Sequence, residues 1–410
     1  MTAEQTLVVV GAGHVAAATA KALRRRGFAG PVVVLGEEPV GPYQRPMLSK
    51  ERLTSPGDAG LWLLDPAWCA ANDVEIRTGS PVERISAATG EVLLTDGRAV
   101  RADLVVLATG GRPRQLPGLD GDRVHTLRSL ADSDRLRDRL VPGRRIGVLG
   151  GGFLGTEVAA AARSRGADVV VLDRDPVLLS RVLGAGIGRA LTDLHARRGV
   201  EFRLGQPIEG VTARPDGVSL TLPTGTETVD DLVVCIGIDP NIEVALASGL
   251  AVGNGVEVDA HGRTSIPTVF AAGDVAAHDH PRYGRVRVEH ADVAQQQAAA
   301  IGSTLAGRPK VFADPHWFWT DQYDVNVQGL GLGGIRPGDE VVVRGDVAGL
   351  DGSVFWLRDG VVVAAAAVER GEDVSVAREL VDLAVPVDAE RLADESVELE
   401  ELLEFEEVPV

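Results

Sequence analysis

The sequence predicts an α/β protein: two Rossmann-like dinucleotide-binding domains followed by a small α+β C-terminal domain. Two observations carry the first part. The pattern Gly11-Ala12-Gly13-His14-Val15-Ala16 recurs as Gly150-Gly151-Gly152-Phe153-Leu154-Gly155, and each copy lies between a valine-rich run and a helical stretch. The third observation is a change of character after Trp317, where short apolar runs alternate with glycine turns and no nucleotide pattern occurs.

The first module opens with a strand at Leu7–Val10, a turn at Gly11, a helix over residues 15–26 closed by Gly27, and a second strand at Val32–Leu35 that runs into Gly36-Glu37-Glu38. This is a βαβ start. The same order returns with a strand at Arg145–Leu149, a helix through 157–165 closed by Gly166, and a strand over 169–172 that ends at Asp173. Two further apolar strands, 103–110 and 231–237, each leave their module through a glycine, and Pro113, Pro117 and Pro240 mark connectors beside them. Another strand over 266–272 runs into Gly273-Asp274 and a helix over about 291–305, which returns the chain to the first module. The expected domains are therefore 1–108 with 239–315, then 109–238, then 316–410. In the last, strands are expected at 325–328, 340–344, 353–357 and 361–367, with a helix near 374–382.

Composition narrows the function. The 410 residues carry a formal net charge of −18, which argues against nucleic acid and anionic membranes as partners. Half of that excess lies in residues 388–410, which hold ten acids and the single base Arg391; Leu399, Leu402 and Leu403 suggest a solvated amphipathic end there. Cys69 and Cys235 have no pairing or ligand spacing, so neither a disulfide framework, a redox-active cysteine pair nor a thiolate metal site is expected. Eight scattered histidines suggest no metal site either; His14 reads as a local hydrogen-bonding residue, and His195, just before Arg197-Arg198, as packed or solvated. No apolar run is long enough for a bilayer, and Leu7 follows too soon after Met1 for a secretion leader, so a cytoplasmic location is expected.

The glycine patterns imply chemistry. In the first, Gly11 permits the tight turn, Gly13 lets backbone N–H groups approach a pyrophosphate, and Ala16 permits close helix–strand packing. Glu37, 26 residues after Gly11, is placed for an adenosine ribose. In the second, Gly150, Gly152 and Gly155 take the same roles. Asp173, 23 residues after Gly150, favours a free ribose 2′-hydroxyl over a 2′-phosphate, and hence NADH over NADPH, although Arg174 adjoins it.

Four further segments are narrower signals: Pro42-Tyr43-Gln44-Arg45-Pro46-Met47-Leu48-Ser49-Lys50, Ala108-Thr109-Gly110-Gly111-Arg112-Pro113-Arg114, Phe270-Ala271-Ala272-Gly273-Asp274 and Trp317-Phe318-Trp319-Thr320-Asp321-Gln322. Together, and in this order over nearly the whole chain, they resemble the oxygenase-coupled NADH-dependent ferredoxin reductases. The resemblance implies a glutathione-reductase-like architecture that holds FAD against Val15, Glu37, Arg45, Lys50, Val82, Arg128, Gly273, Asp274 and Ala291. It also implies a Lys50–Glu157 ion pair at the nicotinamide side of the flavin, Lys50 from the FAD module and Glu157 from the NAD helix, with Trp319 beside the ring. An ion pair of purely structural value, a surface role for Arg128 among its neighbouring arginines, and a core role for Trp317 remain open alternatives. The implied activity is transfer of hydride from NADH to FAD and of single electrons to a small ferredoxin that supplies a haem monooxygenase or a ring-hydroxylating dioxygenase, by a monomer or weak dimer. Arg112, Arg114, Arg282, Arg285 and Arg287 are candidate positive docking positions in an otherwise acidic chain, and the alanine run 364–367 is plain for a ring-facing strand. An NADH oxidase or quinone reductase, or a non-catalytic redox-signalling flavoprotein, would use the same two folds.

Overall fold

The protein is described here by a computed structural model covering residues 5–55, 57–117, 119 and 121–403. The chain separates into two compact units. One comprises Met1–Pro46, Asp58–Arg112 and Ile238–Asp314; the other comprises Met47–Gly57, Pro113–Gly237 and Pro315–Val410.

The first unit is organised by a parallel sheet in the order Val269–Ala271, Leu104–Leu107, Leu7–Val10, Val32–Leu35, Val74–Arg77. Its central strands are unbroken apolar runs because both faces are covered. Leu7 and Val9 pack among residues of the helices His14–Arg25 and Ala291–Leu305, while Val8 and Val10 face Ile85, Val92, Val100 and Val256 on the other side. The two helices approach closely: a Cβ on Gly302 would stand 2.8 Å from that of Ala22. Parallel strands place their carboxyl ends together, so Gly11, Ala108, Gly36 and Ala272 share one edge of this sheet.

The second unit contains the matching parallel sheet, Val200–Leu204, Asp168–Asp173, Arg145–Leu149, Asp231–Val234, Val124–His125, and an antiparallel sheet, Trp317–Gln322, Val325–Leu330, Val361–Val368, Asp351–Arg358, Glu340–Asp346. These two parts share a core. Leu183, Ile187, Leu191 and Leu194 of the helix Ser180–Arg197 pack against Phe318, Val327, Val354 and Trp356 of the antiparallel sheet. The alanine run is explained by the same packing. Ala364 and Ala366 point to that helix, Ala365 and Ala367 to the helix Gly371–Leu383, and a strand between two helices has room for little more than a methyl group on either face.

Two expectations are corrected. Residues 47–57, assigned from sequence to the first module with Lys50 among them, pack in the second unit. The C-terminal leucines do not form a solvated end: Leu399 and Leu402 are buried with Val374 and Leu380, in a short 3-10 turn at Leu399–Leu403. The last seven acidic and apolar residues, 404–410, lie outside the described residues. The antiparallel strands are each longer than predicted, and Trp317–Gln322 is an additional strand.

Buried histidines make the fold sensitive to acid. Burial pushes both His195 and His280 down to about 4 from 6.5. His280 uses both ring nitrogens, accepting from the Arg282 N–H and donating to the Asp314 carbonyl at 3.1 Å. Because the folded values are depressed, the stability these neutral rings lend is complete above pH 6.5 and is lost as pH falls towards 4. Urea unfolding should therefore show stability falling below about pH 6.5, by up to about 1.4 kcal/mol per pH unit for each group. The slope should lessen in His280→Gln; an unchanged slope would contradict the assignment.

Candidate functional site

Each glycine loop has the geometry its residue types predict. Gly11 has φ +113°, and a Cβ there would lie 2.1 Å from the Ala108 carbonyl oxygen; Gly150 has φ +109°, with the Cys235 carbonyl oxygen at 2.3 Å. Both positions are closed to any other residue. Gly155 is required for a second reason, since its Cβ would meet the Gly150 oxygen at 1.9 Å, whereas the first loop accommodates fully buried Ala16.

Gly13 and Gly152 differ from these. A Cβ at either would meet no atom of the described residues within 4 Å. Internal packing therefore does not demand glycine, and the open space is the approach path of whatever fills the loop. The helices that follow, His14–Arg25 and Phe153–Ser164, have no side-chain cap and no acid in the first turn, while Asp65, Ser129 and Asp388 cap the helices they precede. Uncapped N–H groups beside an open glycine suit an anionic diphosphate.

In the first unit, Val15 packs under Gly273, whose φ is +75° and whose Cβ would lie 2.9 Å from the Val15 side chain. Gly273 donates its N–H to Gln297 at 2.7 Å, which fixes the turn presenting Asp274. Ala291 opens the helix Ala291–Leu305, and half-buried Val82 opens the strand Val82–Ser86. Glu37 is exposed at the end of the second strand. Its neighbour Glu38, which carries no motif signal in the sequence, accepts from Arg45 at 2.7 Å and from the Tyr43 hydroxyl at 2.8 Å. Burial alone would lower the Arg45 pKa, but Tyr43, Glu38 and Asp274 more than offset it, so the guanidinium is a fixed cation.

In the second unit, Glu157 sits one turn into the helix Phe153–Ser164 and is 7% exposed. Its Oε1 meets Lys50 Nζ at 2.9 Å and accepts the Thr320 hydroxyl at 2.6 Å, while its Oε2 accepts the Ser49 hydroxyl. Lys50 also lies 3.9 Å from Asp321 and 5.7 Å from the Trp319 ring centroid. Trp319 in turn stacks on Trp317 at 5.2 Å. Alternation along Trp317–Gln322 explains the arrangement, since Trp317, Trp319 and Asp321 are half-buried while Phe318, Thr320 and Gln322 are buried. Asp173, expected at the ribose, accepts from the Gly151 N–H at 2.5 Å and the Asp175 N–H at 2.8 Å. Arg128 donates its backbone N–H to Asp132 just before the helix Leu130–Arg137.

A family model described as pyridine nucleotide-disulphide oxidoreductase matches residues 5–298, and one described as reductase C-terminal matches residues 317–403. The ferredoxin–NAD(+) reductase component of the anthranilate 1,2-dioxygenase system of Burkholderia cepacia is 43% identical, over 97% of this chain and 98% of that protein. Putidaredoxin reductase of Pseudomonas putida is 36% identical over 98% of each chain. The chain belongs to the oxygenase-coupled ferredoxin–NAD(+) reductases, within the pyridine nucleotide-disulphide oxidoreductases. The reductase chain of the crystallised covalent putidaredoxin reductase–putidaredoxin complex superposes with a TM-score of 0.92 at 34% identity, covering 98% of this reductase and 99% of that chain.

The family implies FAD and NAD(H), and the two loops fit them. Despite the family's name, this reductase has no cysteine pair. Burial, with Glu157 adding to it, pushes the Cys235 thiol up to about 12, and burial likewise raises Cys69. Several candidate docking arginines are already engaged: Arg112 with Glu243 at 2.6 Å, Arg285 with Glu257 at 3.2 Å, Arg287 with Glu289 at 2.8 Å, and Arg282 with the Ala313 carbonyl at 3.0 Å. Among the described residues no helix is long and apolar enough to cross a membrane, and no His, Cys, Asp and Glu cluster suits a metal.

The two kinds of glycine should separate on mutation. Gly13→Ala should leave the apo-protein within about 1 kcal/mol of wild type and weaken FAD binding at least about tenfold. Gly11→Ala should destabilise the apo-fold itself by about 2–4 kcal/mol. Equal effects of both on apo-stability, measured by urea unfolding, would contradict the distinction.

Proposed function

We propose that this reductase takes hydride from NADH in preference to NADPH and delivers electrons to a small iron–sulfur ferredoxin serving a haem monooxygenase or a ring-hydroxylating dioxygenase. The observation that supports the nicotinamide preference is the Asp173 carboxylate, pinned by two backbone N–H groups at the end of its strand. A fixed negative charge there accepts a ribose hydroxyl and repels a 2′-phosphate. Arg174, the cation that adjoins it in sequence, is exposed, and Arg181 is held by Asp175 at 2.5 Å.

Bound FAD supplies the step between a two-electron donor and a one-electron acceptor. Gly11, Gly13, Val15 and Ala16 receive its diphosphate, Arg45 adds a fixed positive charge, and Glu37, Val82, Gly273, Asp274 and Ala291 complete the site in the first unit. Gly150, Gly152, Gly155 and Asp173 receive NADH. Lys50 and Glu157 orient the reacting rings, Trp319 shields them, and Arg128 adds a second cation. The ferredoxin assignment draws on the relatives and on the absence of a thiol relay in a chain with two buried or half-buried, protonated cysteines. Such a protein works where nicotinamide is reduced, in the cytoplasm, as a monomer or weak dimer.

The test is stopped-flow reduction with each nicotinamide, followed by cytochrome c reduction with and without candidate ferredoxins. NADH should outpace NADPH, Asp173→Ala should narrow that ratio by about tenfold, and at least one ferredoxin should accelerate cytochrome c reduction. Rapid turnover with oxygen or quinone that no ferredoxin increases would instead identify an oxidase or quinone reductase.

A further inference from the structure

Buried polar side chains continue well beyond the Lys50–Glu157 pair. Gln322, fully buried, meets His195 Nε2 through its Oε1 at 2.9 Å, and its Nε2 reaches the Thr156 hydroxyl at 2.9 Å and the Thr320 hydroxyl at 3.5 Å. Thr156, Thr320 and His195 are each 0% exposed. On its other side His195 Nδ1 meets the Tyr323 hydroxyl at 3.1 Å.

The chemistry of each group fixes the direction of every bond. An amide oxygen only accepts, so His195 carries its proton on Nε2. Burial keeps that ring neutral down to about pH 4, so Nδ1 accepts and Tyr323 donates. An amide nitrogen only donates, so both threonine oxygens accept from Gln322, which leaves their own protons to point onwards. Thr320 donates to Glu157 Oε1, and Thr156 donates back to the carbonyls of Gly152 and Phe153 at 3.0 Å. All donors run one way, from Tyr323 to the Glu157 carboxylate on one branch and to the second glycine loop on the other.

The hairpin turn adds a second observation. Tyr323 has φ +59°, a conformation that favours glycine, and its ring is held by Arg198 at 5.0 Å. A tyrosine kept in a strained turn needs a compensating contact, and its hydroxyl on His195 provides one.

We infer that Tyr323, His195, Gln322 and Thr320 form a one-directional hydrogen-bond chain through which the C-terminal sheet positions the Glu157 carboxylate, and with it Lys50, for hydride transfer. The inference rests on the proposed use of the Lys50–Glu157 pair. These four are positioning residues: they act through Glu157, by removing the carboxylate's freedom to rotate and by polarising the bond that Thr320 gives it. The amide of Gln322 does not relay protons, so the chain holds geometry and does not conduct. Ser49, Lys50 and the Cys235 thiol also face Glu157, and none of them fixes Oε1 from the sheet side; Asp321 of the sheet lies 3.9 Å from Lys50.

Two measurements test this. In protein labelled with 15N-histidine, with or without nucleotides, His195 should be the Nε2–H tautomer and stay neutral at every pH above about 5. An Nδ1–H tautomer would mean that Gln322 is turned over and the chain runs the other way, which overturns the inference whatever the electron acceptor proves to be. Thr320→Val, equal in shape, should slow single-turnover FAD reduction by about tenfold while NADH affinity changes less than about threefold, and Thr320→Ser should restore the rate. A wild-type rate in Thr320→Val, or a loss that falls wholly on NADH affinity, would also overturn it.

Discussion

A buried carboxylate governs the second unit. Glu157 sits among apolar helix residues, and removing such a charge from water costs several kcal/mol unless donors replace the lost hydration. The replacements come from Ser49 and Lys50 on one segment and Thr320 on another, neither near Glu157 in sequence. Satisfying that one group therefore requires residues 47–57 and the strand Trp317–Gln322 to lie against the helix Phe153–Ser164. Arg52 reinforces the first requirement through Asp134 at 2.9 Å, and Ser133 through the Leu48 carbonyl. The grouping of Met47–Gly57 with the second unit follows from this chemistry, although its immediate chain neighbours belong to the first.

The same strand explains how the C-terminal domain serves a nucleotide module. Its buried face enters the helix through Phe318, Thr320 and Gln322, and its other face presents Trp319 and Asp321 around Lys50. Apolar packing by the helix Ser180–Arg197 supplies the bulk of the adhesion, and the polar contacts set the register. A one-residue slip would exchange tryptophan for threonine at the Glu157 face and leave the carboxylate short of a donor.

Much of this was legible in the sequence, and the rest was hidden for identifiable reasons. The glycine loops could be read because φ near +110° and contacts near 2 Å leave no alternative residue, so the composition records the geometry. The helix 291–305 was legible because a run of alanine and glutamine, both good helix formers, fills it. Residues 47–57 were misplaced because sequence adjacency argued for the first module and the deciding contacts are over 80 residues away. Ser49, Thr320 and Gln322 lie in segments that marked the family resemblance, but nothing in those segments, or beside Thr156, names Glu157 as their partner; the alternation in Trp317–Gln322 shows only that two polar side chains share a buried face. The spacing of Leu399, Leu402 and Leu403 suggests one helical face of a solvated end, whereas a short 3-10 turn buries Leu399 and Leu402 in the core of the C-terminal sheet.

The central claim is that Lys50 and Glu157 work as one unit in hydride transfer and are more than a structural bridge. A double-mutant cycle on the single-turnover rate of FAD reduction by NADH, with Lys50→Met, Glu157→Gln and the double variant, measures it most directly. The account predicts that either single change slows the step by about tenfold or more and that the double variant is little slower than the worse single one. Single variants that reduce at the wild-type rate, or two losses that simply multiply, would contradict it.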